Sequence, residues 1–155
     1  MLSYLHSKAL GRSDSNPASS QRELPQFQPT ARGERVAVVD DDEAMTSVTS
    51  ALLERLGYST VSYPSASRFM KAFDASPERI DLVVADVVMP GMSGVQLIQA
   101  LRASGHDVPI LLMTGYSGVE GRLKPGGAAG RISFVRKPFT TSHLAQSVRR
   151  LLSDR

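Results

Sequence analysis

The sequence of 155 residues contains no cysteine. That excludes a disulfide scaffold, a cysteine nucleophile and any thiolate metal site. It also has no apolar run near the roughly 18 residues that a membrane-spanning helix requires. Its opening, Met1-Leu2-Ser3-Tyr4-Leu5, is too short and too polar for a secretory signal. Nor is there a dense basic run, although the chain carries a net charge of +3 and a pI of about 9.5. The strongest clusters are Arg136-Lys137 and Arg149-Arg150, and scattered charge of this kind reads as solvated surface rather than a nucleic-acid footprint. A soluble, cytoplasmic domain is the expectation. Against this weakly basic background, three carboxylates stand side by side at Asp40-Asp41-Asp42, with Glu43 next.

Two regions differ in composition. Residues 1–34 contain a Ser-, Gln-, Pro- and Arg-rich stretch without sustained apolar period, and are expected to form a flexible leader. From Arg35 to the end, short apolar runs alternate with helical patterns. Val36–Val39, Ser59–Ser62, Leu82–Ala85, Ile110–Met113 and Ile132–Val135 read as strands. Between them, Ala44–Leu56 predicts a helix with Met45, Val48, Leu52 and Leu56 along its inner stripe, stopped at Gly57. Ser65–Ala75 predicts a second, with Ala66, Phe69, Met70 and Phe73 inward. Val95–Ala103 predicts a third, carrying Leu97, Ile98 and Leu101. Thr141–Ser153 predicts a closing helix, with Leu144, Val148, Leu151 and Leu152. Strands alternating with amphipathic helices imply an α/β domain with a doubly wound parallel sheet of five strands. The rhythm breaks between Thr114 and Ile132. Gly115, Gly118, Gly121, Pro125, Gly126, Gly127 and Gly130 oppose the helix due there, so a loop with at most a short turn is expected.

Open parallel sheets bind ligands beyond the carboxyl ends of their strands. The residues just past those ends are Asp40 and Asp41, Asp86, Thr114 and Lys137. Clustered carboxylates repel one another, and a hard divalent cation such as Mg²⁺ relieves the conflict. With two acids engaged by metal, the third is free to act as a nucleophile on phosphorus. A lysine and a threonine hydroxyl would stabilise the transferred group. Taken singly, each residue also has an ordinary role: Asp40-Asp41-Asp42 as a helix-capping turn, Asp86 as a turn residue, Thr114 as a strand end, Lys137 as surface. Their joint occurrence at successive strand ends favours the formation and hydrolysis of an aspartyl phosphate.

Four segments carry a resemblance: Val38-Val39-Asp40-Asp41-Asp42-Glu43, Asp86-Val87-Val88-Met89-Pro90-Gly91-Met92-Ser93-Gly94, Met113-Thr114-Gly115 and Lys137-Pro138-Phe139. In order and spacing they resemble the response-regulator receiver domain of two-component signalling, over residues 35–155. The resemblance implies a flavodoxin-like fold with strand order 2-1-3-4-5. It implies Asp86 as phosphoacceptor, and Asp40, Asp41, Asp86 and the main-chain carbonyl of Val88 as the Mg²⁺ site, with Asp41 the more direct ligand of the acidic pair. It further implies that Thr114 reads the phosphoryl group, that Lys137 pairs with a phosphoryl oxygen, that Phe134 holds the aromatic switch position without the usual phenol hydroxyl, and that a cis peptide precedes Pro138. Asp42 and Glu43 are then helix-start acids.

The run Met113-Thr114-Gly115-Tyr116-Ser117 resembles receivers of hybrid kinases and some stand-alone receivers, in which the fourth helix is shortened or irregular. Tyr116 either covers the phosphoryl site or packs on the loop. His6, His106 and His143 lack any phosphotransfer setting. The chain ends directly after its last helix, so the expectation is a single-domain receiver without a DNA-binding domain. Its implied partners are a sensor histidine kinase or histidine phosphotransfer protein and a phospho-dependent effector, with a homodimer left open. Rival readings are a phosphate sink without its own output, a Mg²⁺-dependent aspartyl-phosphate phosphatase, and a scaffold that is never phosphorylated.

Overall fold

The computed structural model describes residues 31–75, 79–115 and 131–153. The leader through residue 30, Tyr116, His6 and the glycine-rich stretch 116–130 lie outside the described residues. Five strands form one sheet: β1 Arg35–Val39, β2 Ser59–Tyr63, β3 Leu82–Asp86, β4 Ile110–Thr114 and β5 Ile132–Arg136. All pair in parallel, in the order β2-β1-β3-β4-β5. Among the described residues, four helices lie between and after the strands: α1 Glu43–Arg55, α2 Ala66–Ala75, α3 Gly94–Ala103 and α4 Thr141–Ser153.

Because strand side chains alternate, the apolar runs supply both faces of the sheet. Val36, Val38, Val84, Leu111 and Met113 pack with α1 and α4 through Leu53, Leu144, Val148 and Leu151. Ala37, Val39, Val83, Ala85 and Leu112 pack with α2 and α3 through Phe69, Leu97, Ile98 and Leu101. Phe69 is fully buried, with its ring centroid 5.3 Å from those of both Tyr63 and Phe73. Burial of such a side chain contributes about 1.5–3 kcal/mol. Ala31, on the leader side of Arg35, packs on the first of these cores, and Ser59 N–H donates to the Glu34 carbonyl at 3.1 Å. Residues just before Arg35 thus touch the sheet and its core.

Helix α1 departs from its expected phase. Val48 is 54% exposed, while Thr49 and Leu53 are fully buried. The inner line runs through Thr49, Leu53 and Leu56, and Leu52 is only partly covered. Thr49 takes a core position because its hydroxyl faces the sulfur of Met113 at 3.9 Å. The helix starts at Asp42, whose Oδ1 accepts the N–H groups of Ala44 and Met45 at 2.9 and 3.2 Å, a cap contributing about 1 kcal/mol. It ends where Gly57 takes φ +93°, with Gly57 N–H donating to the Glu54 carbonyl and Tyr58 N–H to that of Leu53, a paired closure that favours glycine.

Candidate phosphoryl-acceptor site

The sheet order puts β1 and β3 side by side, and their carboxyl ends carry Asp40 and Asp86. The carboxylates of Asp40, Asp41 and Asp86 each offer an oxygen, all within 4.8 Å of one another. Lys137, just past β5, reaches into this group: its Nζ lies 3.0 Å from Asp86 Oδ2 and 3.6 Å from Asp40 Oδ2. Its backbone is fixed by donation of Lys137 N–H to the Thr114 carbonyl at 2.8 Å. The following Lys137–Pro138 peptide is cis.

The three acids stand in different environments. Asp40 is buried, Asp41 exposed and Asp86 half-buried. Asp40 Oδ1 accepts the Asp42 N–H at 3.0 Å, whereas its Oδ2 is buried without a hydrogen bond. Burial pushes the Asp40 carboxyl above the usual 3.8; the Asp42 N–H and the Lys137 charge oppose this, and the charges of Asp86 and Asp41 reinforce it. Burial alone would lower the Lys137 ammonium, but the Asp86 hydrogen bond and the charges of Asp40 and Asp86 outweigh it and hold the group above its usual 10.5. Asp86 Oδ1 accepts the Val88 N–H at 3.2 Å, and the Val88 side chain is 62% exposed beside it.

Two like charges ~4 Å apart repel by about 4 kcal/mol at an effective dielectric near 20. One ammonium does not neutralise three carboxylates, and it leaves Asp40 Oδ2 without a hydrogen bond. An all-oxygen donor set with an unsatisfied buried oxygen fits a hard divalent cation.

Thr114 ends β4 and is 1% exposed. Phe134 pairs with Leu112 across the β4–β5 ladder and is partly buried against the α2–α3 core. Asp42 is the α1 cap and Glu43 its first-turn acid, which matches the role expected of them. His106 meets the Phe73 ring edge-on at 4.9 Å, and His143 is exposed in the first turn of α4. One residue of the site region received no role from the sequence. Gly94, the first residue of α3, lies against the Asp86 carbonyl, and only its place in the motif pointed to it.

The parallel sheet in the order 2-1-3-4-5, with acids and a lysine meeting at its carboxyl edge, defines a receiver-type domain. The response regulator receiver domain model matches residues 36–149, and the chain belongs to that family. It is 34% identical over 117 residues to the probable transcriptional regulatory protein TcrX of Mycobacterium tuberculosis, covering 76% of this chain and 49% of TcrX. It is 36% identical over 119 residues to the response regulator MprA of Mycolicibacterium vanbaalenii, covering 76% of this chain and 50% of MprA. The chain thus spans about half the length of these relatives. Among solved structures it is similar to the response regulator TrrA of Thermotoga maritima in complex with Mg(2+)-BeF: 28% identity, TM-score 0.67, covering 77% of this chain and 99% of that one. Among the described residues, no helix is long and apolar enough to cross a membrane.

Proposed function

We propose that this chain is the phosphoacceptor of a two-component phosphorelay in the cytoplasm. A sensor histidine kinase or a histidine phosphotransfer protein donates a phosphoryl group to Asp86, and the acyl phosphate then alters which effector the domain binds. The observation that carries this is the meeting of Lys137 with Asp86 and Asp40, beside the exposed Asp41. Asp86 is the acid that is both partly open to solvent and paired with the ammonium. Asp40 is too buried to meet an incoming phosphodonor.

In the transfer, one Asp86 oxygen forms a P–O bond as the P–N bond to the donor imidazole breaks, and the nitrogen keeps its electron pair. The Val88 N–H holds the carboxylate from one side, which limits the orientations it must give up on reaction. The Lys137 ammonium faces the charge that the phosphoryl group brings. The Thr114 hydroxyl donates to a phosphoryl oxygen, and Phe134, two strand positions from Arg136, shifts with it as the switch. Asp40, Asp41, Asp86 and the Val88 carbonyl would hold Mg²⁺, which when bound supplies positive charge against the carboxylates and the transferred group. The Mg(2+)-BeF complex of TrrA supports that choice of metal. Hydrolysis of its own acyl phosphate returns Asp86 to the carboxylate, with no turnover on external substrates.

Acetyl phosphate tests the assignment without a partner protein. With Mg²⁺, the intact mass of the chain should rise by one phosphoryl group. Asp86→Asn should abolish that rise, and undiminished labelling of the variant would overturn Asp86 as the acceptor.

A further inference from the structure

We propose that Gly94 is a positioning residue for the Asp86 carboxylate: the absence of a side chain at the start of α3 lets that helix close on the peptide that carries the acceptor. This rests on Asp86 being the phosphoacceptor, and deepens that assignment.

Gly94 is buried. A Cβ at this position would stand 2.4 Å from the Asp86 carbonyl oxygen, 3.2 Å from the carbonyl carbon and 2.8 Å from Leu112 Cδ2. The two shorter contacts cannot be accommodated without movement. Turning the end of the Leu112 side chain relieves one of them. The other is against backbone that is pinned. The Asp86 carbonyl and the Val87 N–H belong to one planar peptide, and the Val87 N–H donates to the Met113 carbonyl at 3.0 Å. Rotating the carbonyl away breaks that bond between the end of β3 and β4. Lifting α3 instead breaks the bond from Gly94 N–H to the Val87 carbonyl, also 3.0 Å, and draws Leu97, Ile98 and Leu101 out of the core. The first movement displaces the backbone from which the Asp86 carboxylate reaches Lys137 Nζ at 3.0 Å and the Val88 N–H at 3.2 Å, and the second frees the Val87 carbonyl that anchors the same segment to α3. The demand at Gly94 is for space; a left-handed backbone is not required there.

The neighbouring capping box supplies a control. Ser93 Oγ accepts the Gln96 N–H at 3.1 Å, and Gln96 Oε1 accepts the Ser93 N–H at 2.9 Å. Gln96→Ala weakens the same end of α3 without adding an atom near Asp86. Gly94→Ala adds both close contacts, and Gly94→Ala combined with Leu112→Val retains only the contact with backbone.

The test compares initial labelling rates with acetyl phosphate at saturating Mg²⁺, per folded molecule as measured by circular dichroism, with stability followed in urea. Gly94→Ala should label about 10- to 100-fold more slowly, the scale expected when a reacting group is misplaced by about 1 Å. Gln96→Ala should lose stability yet keep its labelling rate. The double variant keeps the contact with backbone and should remain slow; where a variant is partly unfolded, its rate is taken per folded molecule in trimethylamine N-oxide, which favours the compact state. Wild-type labelling in Gly94→Ala, an equal slowing in Gln96→Ala, or recovery of rate in the double variant would overturn the role of Gly94. Labelling of Asp86→Asn would instead overturn the acceptor itself, so the two failures are distinct.

Discussion

The Lys137 ammonium lies 3.0 Å from Asp86 Oδ2 across a separation of 51 residues. The contact closes the carboxyl edge of the sheet, joining the end of β3 to the residue after β5. Its ammonium offsets part of a charge cluster that otherwise repels itself.

Removing that ammonium should therefore destabilise the chain most when metal is chelated. Lys137→Ala is expected to lose about 1–3 kcal/mol in EDTA, between the ranges for exposed and fully buried pairs, and Mg²⁺ should recover part of the loss. The Lys137 value is raised on folding, so its contribution is full below 10.5 and fades as pH climbs through the higher folded value. Urea unfolding with and without Mg²⁺ checks this; equal losses in both conditions would contradict it.

Replacing Asp40 should have the opposite effect on stability to replacing Lys137, although both folded values are raised. Burial first, then the charges of Asp86 and Asp41, raise its carboxyl above 3.8 against the pull of the Asp42 N–H and Lys137. The folded state therefore holds this proton more tightly than the unfolded chain. Below 3.8 Asp40 is protonated in both states and the effect vanishes. As pH rises through the folded value the cost of ionisation develops, and it persists above. In EDTA, the stability gained by Asp40→Asn over the wild type should grow through that interval and then level off. A gap that stays flat or shrinks would refute the account. Mg²⁺ should stabilise the wild type more than Asp40→Asn, which keeps Asp41, Asp86 and the Val88 carbonyl.

The phase of α1 gives a prediction about packing. Leu53→Ala should cost about 2–5 kcal/mol, as for other buried leucines. Val48→Ala should fall within about 0.5 kcal/mol of the wild type, as at exposed positions generally. Chemical denaturation compares the two directly, and a larger cost at Val48 would show that α1 is turned as its periodicity first suggests.

These residues also show what was legible beforehand. The buried strands announce themselves as apolar runs, and their order along the chain carries Asp40, Asp86, Thr114 and Lys137 to one edge. The inner face of α1 is not legible because Thr49 counts as polar by type, while in the fold its hydroxyl meets the sulfur of Met113. Asp81 is hidden in the sequence for a related reason. It stands before β3, away from the strand ends where ligands bind, and accepts the Arg35 N–H at 2.9 Å and Arg79 Nε at 3.2 Å. The demand on Gly94 comes from a distance between two backbones, which no side-chain pattern encodes.

The contact between Thr49 and Met113 also offers a spectroscopic vantage point. Met113 is fully buried and immediately precedes Thr114. A carbon-13 label on its methyl group would provide a resonance inside the core, beside the strand end and against α1. Chemical modification of Asp86 could then be followed from within the protein, without attaching a dye or disturbing the surface that a partner would meet.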